Sequence, residues 1–130
     1  MKVAQGDKHA LKKLETKWTK HLSDMVAMIR SPLESKVRKK VNTLLVIDVH
    51  AKDIISAFVR ESVLSAKQFE WESQLRFYWD RVDDDCIIKQ CTGRFRYGFE
   101  YTGLSSRLVI TALTDRCYMT LTQALTFKLG

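Results

Sequence analysis

The chain has 130 residues, of which 45% are hydrophobic and 28% are charged, a composition typical of a globular protein of at most one domain. Five Gly and one Pro exclude collagen-like and low-complexity chains, and no apolar run reaches the roughly 18–20 residues of a membrane span. Because the N-terminus lacks the apolar core of a signal peptide, we expect a soluble intracellular protein.

The net charge of +7 is concentrated at the start of the chain. Residues 1–40 contain eleven Lys and Arg against four Asp and Glu, whereas residues 41–130 contain eleven of each. A basic face can bind nucleic acid, acidic lipid or an acidic protein, but it is also typical of a solvated helix. A stand-alone basic module for nucleic acid or acidic protein therefore stays open as an alternative, with Lys12, Lys13, Lys17, Lys20 and the stretch from Lys36 to Lys40 as its surface.

The cysteines and carboxylates predict no metal site. Cys86, Cys91 and Cys117 form no C-x-x-C pair, and a zinc site needs about four suitably spaced ligands. The three carboxylates of residues 83–85 lack the glycine and the distant glutamate of a calcium loop, and so favour a turn. No catalytic arrangement of Ser, Cys, His and Asp is visible, so no catalytic residue is predicted.

The first segment has the periodicity of a helix. Apolar residues recur every three or four positions over residues 7–30, and Asp7 is a candidate cap. Ser31 precedes Pro32 and has Glu34 three residues after it, the spacing of a capping box. We therefore predict a helix–turn–helix joint in which Ser31 caps the second helix.

The second helix is predicted from about residue 32 to residue 46. The run LLVIDVH, residues 44–50, is β-branched enough for a strand but lies in a helical context, so we prefer a helix that breaks or bends near Asp48 and then resumes over residues 50–62. A short helix over residues 66–74 would place Phe69 near the core.

Strands are predicted where the periodicity changes to two. The short run of residues 75–80 is rich in aromatic residues and is predicted to be a strand. A turn is predicted over residues 82–85, and two further strands over residues 86–91 and 93–101 complete an antiparallel element. The aromatic residues of the last strand alternate with arginines. This suits a half-buried strand whose aromatics face a core, and equally suits stacking on single-stranded nucleic acid; the core is favoured for Phe95, Tyr97, Phe99 and Tyr101.

The last 29 residues read as a turn over 102–106, a brief strand or extended segment over 107–111 and a helix over 115–127 with Asp115 near its cap. Three apolar residues at the end of an extended segment can contact the flat face of a purine, although the same pattern also fits an ordinary core strand. No G-x-x-x-x-G-K-[ST] loop occurs in the chain.

Four stretches resemble one family. The sequence RLVITALTDRCYMTLTQAL resembles the stretch of dynein heavy chains that leads into their first AAA+ module, where the family reads R-L-V-I-T-P-L-T-D-R-x-Y. IDVHAKDII, FEWESQLRFYWD and YGFEYTGL resemble signatures of the same region in the same order. Together they cover about residues 41–130, and the axonemal branch is the more similar one.

The resemblance implies an α+β fold: a helical linker subdomain, then a small antiparallel β element, then a strand–helix start of an AAA+ module. Residues 1–80 would be the helical end of the linker, the mechanical arm that lies across the AAA+ ring. Residues 75–106 would join linker to ring, and 107–130 would begin the first AAA+ module. In the family a Walker A loop follows directly, so the chain is expected to stop before it, to lack Walker A and B, and not to hydrolyse ATP alone.

The resemblance also implies a function, that of a fragment of an ATP-driven microtubule motor which couples the first nucleotide site to linker movement. Implied cofactors are ATP or ADP with Mg in the full-length protein and none for the isolated stretch. Implied partners are the microtubule and other dynein chains, without membrane or nucleic acid, in the cytoplasm, cytoskeleton and ciliary axoneme. The adenine would lie against Leu108, Val109 and Ile110, with Thr111 and Leu113 shaping the same loop and Asp115 and Arg116 starting the next helix.

Two positions depart from the family pattern. Ala112 stands where the family has Pro, which would pre-set the loop and restrict the residue before it. Loss of such a proline costs about 0.4–1 kcal/mol through the unfolded chain. Lys52 replaces an Arg, and so gives up a planar fork for a point charge.

Overall fold

The computed structural model describes residues 8–101, residue 103 and residues 109–129. These residues form four helices and one three-stranded antiparallel sheet, which confirms the predicted α+β class. They divide into two compact units, one with the two long helices and one with the sheet and the two other helices. Within the described residues, every helix is too short or too polar to cross a membrane.

The first unit is a helical hairpin of α1 (Lys8–Arg30) and α2 (Ser35–Arg60). Its seam has heptad spacing, since Leu11, Trp18 and Met25 follow one another at seven-residue intervals on α1. This spacing turns the same side of α1 towards α2 on every second turn, as the periodicity predicted. The buried apolar residues of this unit are Leu11, Met25, Val41, Ile55, Phe58 and Val63.

The joint between the two helices differs from the predicted one. The Ser31 hydroxyl donates to a carbonyl at the end of α1, at 2.6 Å, and α2 begins only at Ser35. The prediction that Ser31 caps α2 is therefore wrong. Instead, the Arg38 guanidinium of α2 donates to the carbonyls of Ile29 (2.7 Å) and Ser31 (3.1 Å). One side chain of α2 thus satisfies the carbonyls that the end of α1 leaves open.

The predicted break near Asp48 is also wrong, because α2 runs unbroken through that residue. In a continuous helix Asp48 lies seven residues after Val41 and seven before Ile55, on the side that faces α1. Its Oδ2 atom lies 2.9 Å from Nε2 of His21 on α1. A polar pair across the seam, rather than the start of a new helix, explains an aspartate at this position.

The second unit starts with α3 (Phe69–Glu72), followed by β1 (Arg76–Asp80), β2 (Asp85–Gln90) and β3 (Gly93–Arg96). The strands pair in chain order, with Phe77 opposite Ile88 and Ile88 opposite Phe95. The predicted small antiparallel element is therefore confirmed. Residues 81–84 form the predicted turn.

Two aromatic predictions in this unit are wrong. Helix α3 has only four residues, and Phe69 is exposed rather than near the core. Strand β3 ends at Arg96 instead of residue 101. Phe99 has a left-handed backbone conformation (φ 50°), which is incompatible with an extended strand at that residue. Of the four aromatic residues expected to face a core, Phe95 in β3 is half-buried, whereas Tyr97, Phe99 and Tyr101 are exposed because no layer of the described chain covers them.

Candidate functional site

The last helix, α4 (Ala112–Phe127), begins with a capping box made of two threonines. The Thr114 amide donates to Oγ1 of Thr111 at 3.4 Å, and the Thr111 amide donates to Oγ1 of Thr114 at 2.7 Å. The helix therefore starts three residues before the predicted start, and Asp115 is not its cap. Asp115 instead lies in the first turn, where its negative charge complements the helix dipole.

The predicted adenine-contacting residues surround this cap. Leu108 lies outside the described residues, as does most of the predicted turn over 102–106. Val109 is 62% exposed, Ile110 is half-buried, Thr111 is the exposed N-cap, and Leu113 in the first turn is 71% exposed. Residues 109–111 pair with no strand, and Thr111 has extended backbone angles (φ −119°, ψ 171°). None of the four described residues is sealed in a core.

The four described residues around this cap have apolar or neutral side chains. Val109 and Leu113 expose apolar side chains of the kind that pack on a flat ring face. The amide of Thr111 donates to Thr114, and its carbonyl accepts from the Asp115 amide at 3.0 Å. Because the cap uses both backbone groups of Thr111, any backbone recognition of the base edge falls to the residues before it. The sequence contains no phosphate-binding loop to add to this set.

A buried glutamine ties α4 to the sheet. Gln90, at the end of β2, is 2% exposed. Its Nε2 atom donates to the carbonyl of Ser73 after α3 (2.9 Å), and its Oε1 atom accepts from Oγ1 of Thr122 on α4 (3.0 Å). Its backbone carbonyl accepts from Nε2 of Gln123 at 3.1 Å. We call this cluster of Gln90, Ser73, Thr122 and Gln123 the Gln90 joint.

Sequence reasoning missed the Gln90 joint. The available signal is a polar residue on the inward side of a strand, together with threonine and glutamine side chains that recur on one side of a helix. Thr122, Gln123 and Thr126 form that polar side of α4, and they face the sheet. The apolar side of α4 is exposed, at Leu113, Leu121, Leu125 and Phe127.

Helix and sheet approach each other most closely at Gly93, the first residue of β3. A Cβ atom at this position would lie 2.8 Å from Oγ1 of Thr126 and 3.2 Å from the carbonyl oxygen of Gln90. Real Cβ atoms do not approach that closely, and the threonine side chain is short and stiff. Gly93 therefore sets the distance between α4 and the sheet.

The ionisable groups of this unit show no catalytic centre. Arg96 donates to Oδ2 of Asp85 at 2.7 Å and, with the Cys86 amide, holds the pKa of that carboxyl below its usual range. Burial raises the pKa of the Cys91 thiol, which disfavours a reactive thiolate. All three cysteines are free, and the described part of the chain contains no group of three or more side chains that could hold a metal ion.

Comparison with known proteins agrees with the resemblance. Residues 97–130 match the family described as the hydrolytic ATP binding site of the dynein motor region. Over 129 residues the chain is 55% identical to dynein axonemal heavy chain 10 of Homo sapiens and 62% identical to the dynein-1-alpha heavy chain of the flagellar inner arm I1 complex of Chlamydomonas reinhardtii. It is 51% identical over 118 residues to dynein axonemal heavy chain 1 of Mus musculus.

These alignments cover 99%, 99% and 91% of this chain and 3% of the length of each relative. The alignments over 129 residues include the basic first segment, which carries none of the sequence motifs on which the resemblance rests. The lysines of α1 and α2 thus belong to a stretch shared with axonemal heavy chains, and the comparisons give no support to a stand-alone basic module.

Proposed function

Because this chain belongs to the dynein heavy chain family, we propose that residues 107–130 form the base-contacting start of the first AAA+ module of an ATP-driven microtubule motor. In this proposal residues 1–80 are the helical end of the linker, and residues 75–106 join it to the ring. The heavy chain containing them binds ATP or ADP with Mg, acts on the microtubule together with other dynein chains, and works in the axoneme of a cilium.

One observation carries the proposal: the match of residues 97–130 to the dynein ATP-site family includes α4 and the residues before it, where apolar side chains are open to solvent. Val109 and Leu113 flank Thr111, whose cap fixes the direction in which the chain enters α4. An isolated core strand would instead bury these side chains, since apolar side chains leave water when a covering layer exists.

The residues of this chain perform positioning rather than hydrolysis in this mechanism. When bound, ATP supplies a cleavable phosphate bond, and the groups that act on that bond lie in other segments of the motor. Val109, Ile110 and Leu113 provide an apolar surface for the base, and the Thr111 cap holds them at the start of α4. A nucleotide shifts the equilibrium between two conformations of the AAA+ ring only if it binds one conformation more tightly than the other. The size of the shift is set by that difference in binding free energy.

The proposal is tested by a charge at the proposed base-contacting surface. In the heavy chain that contains this sequence and the residues encoded downstream, Val109→Asp places a carboxylate against the base. The desolvation of that carboxylate should weaken binding of a fluorescent ATP analogue by about tenfold or more. The measurement is an equilibrium titration of nucleotide followed by fluorescence anisotropy.

The matched control is Val82→Asp, which makes the same change in the turn after β1, where Val82 is 93% exposed. It should leave the affinity within about twofold, since a carboxylate that stays in water has no desolvation cost. Equal affinities for the parent protein and Val109→Asp would remove Val109 from the base contact and with it the proposed role of this segment.

A further inference from the structure

The strongest unassigned feature is the Gln90 joint, because it is the one place where α3, the sheet and α4 share hydrogen bonds among the described residues. The side-chain amide of Gln90 bridges Ser73 and Thr122, and its own carbonyl accepts from Gln123. In the described part of the chain no buried side-chain nitrogen or oxygen lacks a partner. Each buried polar side-chain atom of the joint therefore has at least one hydrogen-bond partner, and the Thr122 hydroxyl also lies 3.1 Å from the Met119 carbonyl.

Two further bonds hold the same three parts together. The Cys91 amide donates to the carbonyl of Glu72 in α3 at 2.7 Å. The Thr92 hydroxyl donates to Oε1 of Gln123 on α4 at 2.9 Å, so Gln123 is held at both ends of its amide group. Three consecutive residues, 90–92, thus bind the end of α3 on one side and α4 on the other.

Apolar packing of α4 within this unit is partial, because Tyr118, Met119 and Ala124 are only half-buried. No residue of α4 is buried, and its leucines at 113, 121 and 125 are exposed. Apolar contacts are non-directional, whereas hydrogen bonds fix distance and angle. The orientation of α4 on the sheet therefore depends on the joint more than on packing.

We infer that Gln90 is a positioning residue, which sets the angle of α4 on the sheet and thereby the position of Thr111 and Leu113 at the start of α4. The meaning of this inference for nucleotide binding depends on the proposed function, but the positioning itself does not. Because α3 and α4 are bound to the same side chain, a displacement of one is passed to the other as a rigid unit.

Variants of Thr122 and Gln90 can separate the effect of the joint on the orientation of α4 from its effect on the free energy of unfolding. Thr122→Val keeps the shape of the side chain but leaves Oε1 of Gln90 buried without its donor, which is destabilising. Thr122→Ser keeps the hydroxyl donor and is the matched control. The double variant Gln90→Met with Thr122→Val removes both partners of this bond, and it also takes the donor away from the part-buried carbonyl of Ser73, so some loss of stability is expected.

The direct readout is the distance between spin labels on α4 and on the sheet. The exposed native Cys117 carries one label and Val82→Cys in the turn after β1 carries the other, in a chain with Cys86→Ser and Cys91→Ser. The parent chain and Thr122→Ser should each give one narrow distance distribution. The double variant should give a broad or shifted distribution in buffer without urea, under conditions in which circular dichroism shows that it is folded.

A narrow parental distribution in the double variant would overturn the inference, because packing alone would then orient α4. If the double variant fails to fold, the label distances of Thr122→Val are compared with those of Thr122→Ser. A distribution in Thr122→Val as narrow as that in Thr122→Ser would then overturn the inference. Nucleotide affinity of the heavy chain is measured separately, where the double variant should lose about tenfold. An unchanged affinity in Val109→Asp removes the proposed function, whereas the label distances decide the positioning role in either case.

Discussion

The seam of the helical hairpin is apolar, whereas the contact between α4 and the sheet is polar. In the hairpin, five apolar side chains of α1 and α2 are buried, and polar pairs such as His21 with Asp48 are placed among them. In the described residues of the sheet unit, Ile87, Gln90 and Gly93 are the buried ones, and α4 contributes none. The exposed apolar side chains of α4 are those of Leu113, Leu121, Leu125 and Phe127.

The helical hairpin is therefore stabilised by its own apolar core, whereas α4 is oriented on the sheet by hydrogen bonds. Burial of apolar surface stabilises the hairpin in proportion to area and tolerates small shifts of one helix along the other. The Gln90 joint contributes less free energy, but its bonds are directional. The direction of α4 therefore depends on the geometry of a few hydrogen bonds, whereas the hairpin depends on the area that it buries.

The largest expected effect is in the hairpin. Phe58→Ala removes a buried ring from the hairpin core, where Phe58 is only 6% exposed, and leaves a cavity. We expect the free energy of unfolding to fall by about 3–5 kcal/mol, measured by urea denaturation with circular dichroism. The matched control is Phe69→Ala, since Phe69 is exposed and its loss should change the free energy by about 0.5 kcal/mol or less. Similar losses in both variants would mean that the hairpin has no core of its own.

A smaller effect is expected where α4 meets the sheet. Gly93→Ala adds a methyl group 2.8 Å from Oγ1 of Thr126 and 2.9 Å from Cε2 of Phe95, so these side chains or the elements that hold them must shift. Overpacking of this kind costs about 1–3 kcal/mol, and hydrogen exchange at the amides of α4 should rise with it.

The control for this change is Gly98→Ala, where the nearest atom to the new methyl group would be Cγ of Glu100 at an ordinary 3.8 Å. Its effect on the free energy of unfolding should stay within about 0.5 kcal/mol. If Gly93→Ala were as mild as Gly98→Ala, the close contact between helix and sheet would not restrict α4, and the contrast between the two units would weaken.

Helix existence could be predicted from sequence because it depends on local periodicity, which α1 shows over its whole length. The predicted break at Asp48 failed because its reason lies elsewhere: the partner, His21, is 27 residues away and on another helix. The aromatic strand failed differently. Alternation shows which side chains share a face but not whether a second layer covers that face, and Tyr97 and Phe99 remain exposed.

The features of the candidate site also differ in whether neighbouring residues or distant residues determine them. The resemblance named Val109, Thr111 and Leu113 from consecutive residues, and a capping box over three residues is also a local pattern. The Gln90 joint was missed because its bonds connect residues 17 and 32 positions apart. A polar residue at an inward strand position indicates that such partners exist, but only the fold identifies them.

The smallest effect concerns the position where the family has proline. Ala112 is the first residue of α4, where an amide needs no partner within the helix and the backbone angle suits proline. Thr111 before it is already extended (φ −119°, ψ 171°), as proline requires of its neighbour. Ala112→Pro should therefore raise the free energy of unfolding by about 0.4–1 kcal/mol, because it restricts the unfolded chain.

The same substitution at Ala124 is the contrasting control. Ala124 lies inside α4, so a proline there removes a helical hydrogen bond and should cost about 3 kcal/mol or more. Opposite signs at the two positions would mean that α4 begins at the Thr111 cap also in solution. A loss of stability in Ala112→Pro would instead place the start of α4 elsewhere, and the capping box of Thr111 and Thr114 could then no longer fix how the chain enters the helix.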